Sequence, residues 1–122
     1  MNKDDFKFLV ECAIRAPSGH NTQPWKFQNT DNGIVIHPDF ERALPVVDAE
    51  NYELYIGLGC ALENLLIAAR QRGYVFKVHY PEKPVNSIVV DLTKDETGSI
   101  SPDLLFNEIP KRQVTKIKYN NT

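Results

Sequence analysis

APSGHNTQPW, residues 16–25, is a polar stretch with a proline near each end. It offers hydroxyl, carboxamide, imidazole and backbone N–H groups within one short segment. A turn between a helix and a strand explains this composition without a ligand, because Asn and Ser also bond their own backbone. A binding loop is the alternative, since Asn and Gln amides match the alternating donors and acceptors along the edge of a flat ring. Composition alone favours the turn.

The segment before this stretch has the pattern of an amphipathic helix. Apolar residues recur there at helical spacing: Phe6, Leu9, Val10, Ala13 and Ile14. Asp4 and Asp5 place negative charge where a helix start favours it. The pattern predicts a helix over residues 3–16 that Pro17 ends.

Strand patterns follow the polar stretch and flank a second, longer helix. Residues 25–28 and 34–37 predict a hairpin around Asn32-Gly33, because both residues tolerate positive φ. Residues 75–80 and 87–92 predict two further strands. A broad apolar stripe predicts a helix over residues 49–72, capped by Asp48 and ended by Gly73. A short helix is predicted from Ser101 to about residue 108.

The whole pattern predicts one domain over residues 1–122 of the α+β class, with a basic tail over 110–122. Small residues in the middle of the long helix, such as Gly57 and Gly59, cost helix propensity, so we expect another backbone to approach there. That contact predicts a homodimer. Cys12 and Cys60 lie far apart outside any Cys/His cluster, which predicts buried, reduced thiols and no metal site.

Charge and hydropathy exclude several classes of function. A formal net charge of -2 gives no field for general nucleic-acid binding. No apolar run approaches the roughly 20 residues of a membrane span, and the start is acidic, so a cytoplasmic protein is expected. His37 and His79 lie in predicted strands and are expected to be satisfied histidines. The charges at Asp39, Glu41 and Arg42 could suggest an acid–base site but are better explained as loop charge.

Residues 16–25 closely resemble the A-P-S-x-x-N-x-Q-P-W motif of the nitroreductase family of FMN enzymes. Residues 42–48 and 57–65 resemble a divergent, Acg-like branch of that family, and the branch resemblance runs from about Phe6 to Tyr80. It implies a nitroreductase-like layered α/β sandwich, with a mostly antiparallel sheet and a long central helix. Family members are longer, so the sequence is expected to correspond to the N-terminal portion of one.

The resemblance also implies where a flavin binds. The loop residues implied to contact it are Pro17, Ser18, Gly19, Asn21 and Gln23, with His20 matching the branch alone. Pro24 and Trp25 are expected to anchor the loop in the core. Arg112, Gln113, Thr115 and Lys116 resemble a segment that holds the FMN phosphate, although Val114 replaces the usual hydroxyl and Lys116 the usual arginine. A solvated basic tail is the alternative for this segment.

The function implied is an FMN-dependent NAD(P)H oxidoreductase that passes a hydride through the flavin to a small acceptor, such as a nitroaromatic or a quinone. No catalytic side chain and no metal are required. Two alternatives stay open at this point. One is a flavin-binding or flavin-storing protein without turnover, and the other is a truncated, cofactor-free fragment.

Overall fold

Two helices and four strands form the part of the chain that the computed structural model describes, which is residues 1–16, 23–42, 52–83, 86–97 and 106–109. In chain order they are α1 (Lys3–Ala13), β1 (Trp25–Thr30), β2 (Gly33–Pro38), α2 (Tyr52–Gln71), β3 (Tyr74–His79) and β4 (Ile88–Lys94). Short 3₁₀ helices cover Phe40–Arg42 and Phe106–Glu108. The predicted α+β class with a long helix is confirmed.

The four strands form one sheet in the order β1-β2-β4-β3, and every neighbouring pair is antiparallel. Helix α2 packs on this sheet against β2 and β3, and α1 packs against α2. Fully buried side chains from the sheet, such as Ile34 and Val90, share one hydrophobic core with Leu9 of α1 and Leu65 of α2. The sheet is therefore covered by helix on the face that carries Ile34 and Val90.

Helix α1 begins as its acidic first turn predicts but ends earlier than residue 16. Asn2 is the N-cap, and its side chain accepts the backbone N–H of Asp5 at 2.8 Å. The helix ends at Ala13, and Ala16 then donates its N–H to the Ala13 carbonyl at 3.1 Å in a tighter turn. The proline at position 17 restricts Ala16 alone, so it does not explain why the regular helix already ends at Ala13.

The β1–β2 hairpin is confirmed, but the predicted reason for it is wrong at Asn32. Thr30 pairs with Gly33, so Asp31 and Asn32 are the two turn residues. Among the described residues, the non-glycine positions with positive φ are Gln23 and Asn86, and neither lies in this turn. Gly33 has φ 155, and β4 passes so close that a Cβ there would lie 2.1 Å from the Val90 carbonyl oxygen, so only glycine fits without a shift.

The remaining predictions differ in detail. Strands β3 and β4 are present with ends shifted by one or two residues, and Gly73, with φ 78, follows α2 as predicted for a helix stop. Cys12 and Cys60 are free thiols, but both are only half-buried.

Some predictions fall outside the described residues. These are the helix cap at Asp48, the start of the predicted long helix and the basic tail over 110–122. In the described ranges, no helix is both long and apolar enough to cross a membrane.

Candidate functional site at one end of the sheet

The sheet topology brings the ends of several strands, and the loops that leave them, to the same end of the sheet. Trp25 at the start of β1 pairs with Pro38 at the end of β2, and Ile36 pairs with Ile88 at the start of β4. His79 at the end of β3 pairs with Val89. We call this the loop end of the sheet, because the polar stretch 16–25 joins α1 to β1 here.

Both flanks of the polar stretch are held in the core. Ala16 and Trp25 are buried, and Pro24 is among the fully buried side chains, as expected for the anchors Pro24 and Trp25. The backbone adds two hydrogen bonds: Trp25 donates to the Gln23 carbonyl and Asp39 donates to the Pro24 carbonyl, each at 2.9 Å. The exit of the stretch is thus tied to β1 and to the residue after β2.

Of the predicted flavin-contacting residues, Gln23 is the one within the described ranges. Its φ of 51 places it in the left-handed region, which is uncommon for a residue with a Cβ. The other predicted contact residues lie outside the described ranges and stay predictions: Pro17, Ser18, Gly19, His20, Asn21, Arg112, Gln113, Thr115 and Lys116.

A cleft of about 360 Å³ opens at the loop end of the sheet. Tyr55 and Gly59 of α2 form one side, Tyr80 and Pro81 follow β3, and Ile88 begins β4. The sequence did not reveal this cleft, because its walls come from three elements far apart in the chain. In the sequence, the pair Tyr80-Pro81 at the end of a predicted strand is the feature that points to the cleft.

His37 and Ser87 are held in a hydrogen-bonded chain beside the cleft. The Gln28 Oε1 atom lies 2.8 Å from Nε2 of His37, and an amide oxygen only accepts, so Nε2 carries the proton. The Nδ1 atom then accepts the hydroxyl of Ser87 at 2.8 Å. Ser87 is 2% exposed and also lines the cleft. The prediction that His37 is a satisfied histidine is confirmed.

The other candidate charges also have structural partners. His79 lies 3.3 Å from Asp91, and Asp39 lies 4.0 Å from Lys26. The Asp39 carboxylate also accepts the backbone N–H of Glu41 at 3.2 Å. These contacts give both Asp39 and His79 structural partners.

The resolved pKa shifts of Asp5 and Tyr74 lie at the end of the sheet opposite the loop end. Tyr74 donates its hydroxyl to Asp5 and Arg72 lies 3.0 Å from the same carboxylate. The hydrogen bond from Tyr74 lowers the pKa of Asp5 below its ordinary value. Burial, and next the bond to Asp5, raises the pKa of Tyr74 to about 12. Burial also raises the pKa of Cys12, which makes that thiol less reactive.

Sequence comparison places the chain among known proteins. The sequence model of a family described as "Putative TM nitroreductase" matches residues 1–69. That range includes the whole polar stretch and most of α2. It covers more than half of the 122 residues.

Two similar proteins come from Mycobacterium tuberculosis. "Putative NAD(P)H nitroreductase acg" is 30% identical over 93 residues, which is 74% of this chain and 28% of that protein. "Putative NAD(P)H nitroreductase Rv3131" is 33% identical over 71 residues, which is 58% of this chain and 21% of that protein. The chain therefore matches less than a third of the length of either relative.

A solved structure shares the fold. It is described as a "Putative NADH dehydrogenase/NAD(P)H nitroreductase" from Parabacteroides distasonis, and it superposes with a TM-score of 0.59 at 14% identity. The superposition covers 100% of this chain and 88% of that one. With the family match over residues 1–69, these findings show that the chain belongs to the nitroreductase family.

Proposed function

We propose that this chain is the flavin-binding part of an FMN-dependent NAD(P)H oxidoreductase that reduces small molecules such as nitroaromatics or quinones. The observation that carries the proposal is the family match over residues 1–69, because it contains the complete polar stretch 16–25. Membership of the nitroreductase family supports a general oxidoreductase function, and FMN, the acceptor and the cytoplasmic localisation are the finer parts of the proposal.

The geometry around the polar stretch supports a binding role. Buried anchors at Ala16, Pro24 and Trp25 fix both flanks, and the cleft of about 360 Å³ opens at the same end of the sheet. A loop positioned by a rigid scaffold is the usual place for binding residues. The donor set also fits, since the hydroxyl of Ser18 and the amides of Asn21 and Gln23 complement the donors and acceptors of a flavin pyrimidine edge.

The chain's own residues have distinct roles in this proposal. When bound, FMN supplies the redox chemistry between NAD(P)H and the acceptor. Ser18, Asn21 and Gln23 hold the pyrimidine edge and favour negative charge there by hydrogen bonding. Arg112 and Lys116, with Gln113 and Thr115, bind the phosphate through charge-assisted hydrogen bonds.

The loop assignment is tested by replacing Asn21. We expect Asn21→Ala to weaken the binding of oxidised FMN by up to about tenfold, because a hydrogen bond between uncharged groups contributes roughly 0.5 to 1.5 kcal/mol. It should also make the midpoint potential of the bound flavin more negative. Asn107→Ala is the matched control, because Asn107 is exposed on the second 3₁₀ helix. If Asn21→Ala leaves both affinity and potential unchanged, the loop does not contact the flavin edge.

The phosphate assignment is tested by comparing FMN with riboflavin, which lacks the phosphate. We expect the double variant Arg112→Ala, Lys116→Ala to bind FMN at least about tenfold more weakly and to bind riboflavin as the unaltered protein does. Lys118→Ala, in the same segment, is the control and should change neither affinity. An equal loss of FMN and riboflavin binding would instead show a general defect in the flavin site.

A further inference from the structure

The turn between β1 and β2 contains a pair of residues with a chemical reactivity of its own. Of the asparagines in the sequence, Asn32 alone is followed by glycine. In such a pair the backbone nitrogen of the glycine attacks the side-chain carbonyl carbon of the asparagine, because glycine has no side chain to shield that nitrogen. Asn32 is exposed in the two-residue turn of the hairpin, so water reaches its carboxamide. The turn therefore presents the groups that take part in a deamidation.

Two hydrogen bonds hold the peptide unit between Asn32 and Gly33. The Asn32 carbonyl accepts the N–H of Leu92 in β4 at 2.8 Å. The Gly33 N–H donates to the side-chain hydroxyl of Thr30 at 3.1 Å. Both polar atoms of this peptide unit are thus bonded, and its nitrogen is the atom that reacts in a deamidation.

The hydroxyl of Thr30 acts directly on the reactivity of that nitrogen. The nitrogen attacks after it has lost its proton, and an acceptor that holds the N–H favours the protonated form. The attack also requires the backbone at Gly33 to rotate. Its freedom is small, because β4 lies so close that a Cβ on Gly33 would be 2.1 Å from the Val90 carbonyl oxygen. The fold should therefore slow the reaction, with Thr30 holding the reacting atom itself.

We propose that Asn32 is a site of spontaneous deamidation and that the Thr30 hydroxyl sets its rate in the folded chain. The Gly33 nitrogen forms a bond to Cγ of Asn32, and the bond from Cγ to the side-chain nitrogen breaks. That nitrogen leaves as ammonia with the proton lost from the Gly33 nitrogen. Water then opens the succinimide ring at either carbonyl, which gives aspartate or isoaspartate. The reaction needs only water, and no step depends on flavin binding.

Isoaspartate and aspartate differ in their effect on the hairpin. Aspartate adds a negative charge beside Asp31 and leaves the path of the backbone unchanged. Isoaspartate carries the main chain through the former side chain, so the turn gains one methylene group. The pairing of Thr30 with Gly33 and the hydrogen bond from Leu92 to the carbonyl of residue 32 then do not both keep their geometry. We expect the isoaspartate form to unfold at a lower urea concentration than the aspartate form.

The reaction is followed by incubating the full chain in mildly alkaline buffer and digesting samples with trypsin over time. Cleavage after Lys26 and Arg42 gives one peptide that contains both Asn29 and Asn32. Mass spectrometry detects the replacement of NH₂ by OH, fragmentation locates it, and a sample digested before incubation gives the background. We expect the replacement at Asn32 and not at Asn29, which precedes a β-branched residue and bonds through its side chain to Met1.

Three variants test the role of Thr30. Thr30→Val keeps the shape of the side chain without the hydroxyl, and it should speed up deamidation at Asn32 about two- to tenfold, the rate equivalent of one lost hydrogen bond. Thr30→Ser keeps a hydroxyl and should react as the unaltered protein does. Asn29→Ala is the matched control, because it removes contacts between Met1 and the end of β1 but leaves the bond from Gly33 to Thr30. Its rate at Asn32 should be unchanged.

The effect on the hairpin is measured by urea denaturation after incubation. The unaltered protein, aged until Asn32 is converted, should unfold at a lower urea concentration than Asn32→Asp aged in the same way. The aged variant carries the charge and any other damage but not the isoaspartate. Equal urea midpoints would contradict the predicted change in the turn.

Two further results would overturn the proposal. One is an intact Asn32 in the folded chain under conditions in which a synthetic peptide of residues 27–42 deamidates. The other is an equal rate in Thr30→Val and Thr30→Ser, or an equal acceleration by Asn29→Ala, which would show that a general loosening of β1 and not the hydroxyl controls the reaction. FMN binding is not part of any of these measurements, so their outcome is independent of the proposed function.

Discussion

At Gly33 the backbone of β4 passes so close that a Cβ would lie 2.1 Å from the Val90 carbonyl oxygen. The neighbouring atom is backbone in the middle of the sheet, so it cannot move without disturbing the pairing of β2 with β4. Gly59 has the opposite surroundings, because a Cβ there meets nothing described within 4 Å. The two glycines should therefore respond to the same substitution with opposite signs.

We expect Gly33→Ala to lower the free energy of unfolding by roughly 1 to 3 kcal/mol, the usual cost of overpacking. We expect Gly59→Ala to raise it by up to about 1 kcal/mol through helix propensity. Urea denaturation of both variants under one set of conditions checks both signs. Destabilisation by Gly59→Ala would show that another backbone packs there after all, as the sequence alone suggested.

The sequence allowed the roles of some candidate-site residues to be predicted, but not those of others. Pro24 and Trp25 were assigned as anchors with the help of the family resemblance, and both are buried. Tyr55 and Tyr80 could not be assigned to a shared cleft. Tyr55 belongs to α2 and Tyr80 follows β3, and their proximity depends on how α2 packs against β3.

Among the elements, α1 is fastened to the start of β3 by a cluster around the buried Asp5 carboxylate, at the end of the sheet opposite the cleft. Asp5 is 6% exposed, and it accepts hydrogen bonds from Tyr74, Arg72 and its N-cap partner Asn2. We call Asp5, Arg72 and Tyr74 the α1 clamp. The carboxylate is the shared acceptor, so its charge state decides the strength of the clamp.

Asp5→Ala should lower the free energy of unfolding at neutral pH by roughly 1 to 3 kcal/mol, because it leaves the buried Tyr74 hydroxyl without its acceptor. The folded-state pKa of Asp5 is below its ordinary value. Its contribution is therefore complete above the unfolded pKa near 4 and is lost as the pH falls through the folded value. The difference between the unaltered protein and Asp5→Ala should narrow below about pH 4.

Urea denaturation at pH 7, 4 and 3 measures this dependence. Asp4→Ala is the control, since Asp4 shares the first turn of α1 but is exposed. Its effect should be smaller and come mainly from the helix dipole. If Asp5→Ala were no more destabilising than Asp4→Ala at pH 7, the α1 clamp would not hold α1 in place.

The elements themselves could be predicted from periodicity, whereas their ends and their arrangement could not. Apolar spacing located α1 and α2, and alternation with turn residues located the four strands. The end of α1 was missed by three residues, because Pro17 marks where the helix must have stopped and not where its last regular turn ends. Strand order depends on how α2 crosses the sheet, and local spacing carries no information about that crossing.

At the scale of the whole molecule, exposed apolar residues are available to form the interface of the predicted homodimer. Ile56 on α2 is 65% exposed and Phe40 is 48% exposed. We expect sedimentation velocity to show a dimer whose population rises with concentration. Ile56→Glu should shift it towards monomer, because burying an unpaired carboxylate in an apolar contact is costly. Gln71→Glu, at the exposed C-terminal end of α2, is the control and should leave the dimer intact. A monomer at every concentration would contradict the prediction.

The polar stretch after α1 is proposed to bind a flavin that serves in electron transfer. The most direct measurement is the visible spectrum of the protein after purification with added FMN, recorded before and after NADPH is added without oxygen. We predict a yellow protein whose flavin bands bleach with NADPH and return when a quinone is added. A yellow protein that does not bleach would indicate that the flavin binds without turnover. A colourless protein would contradict flavin binding by the polar stretch.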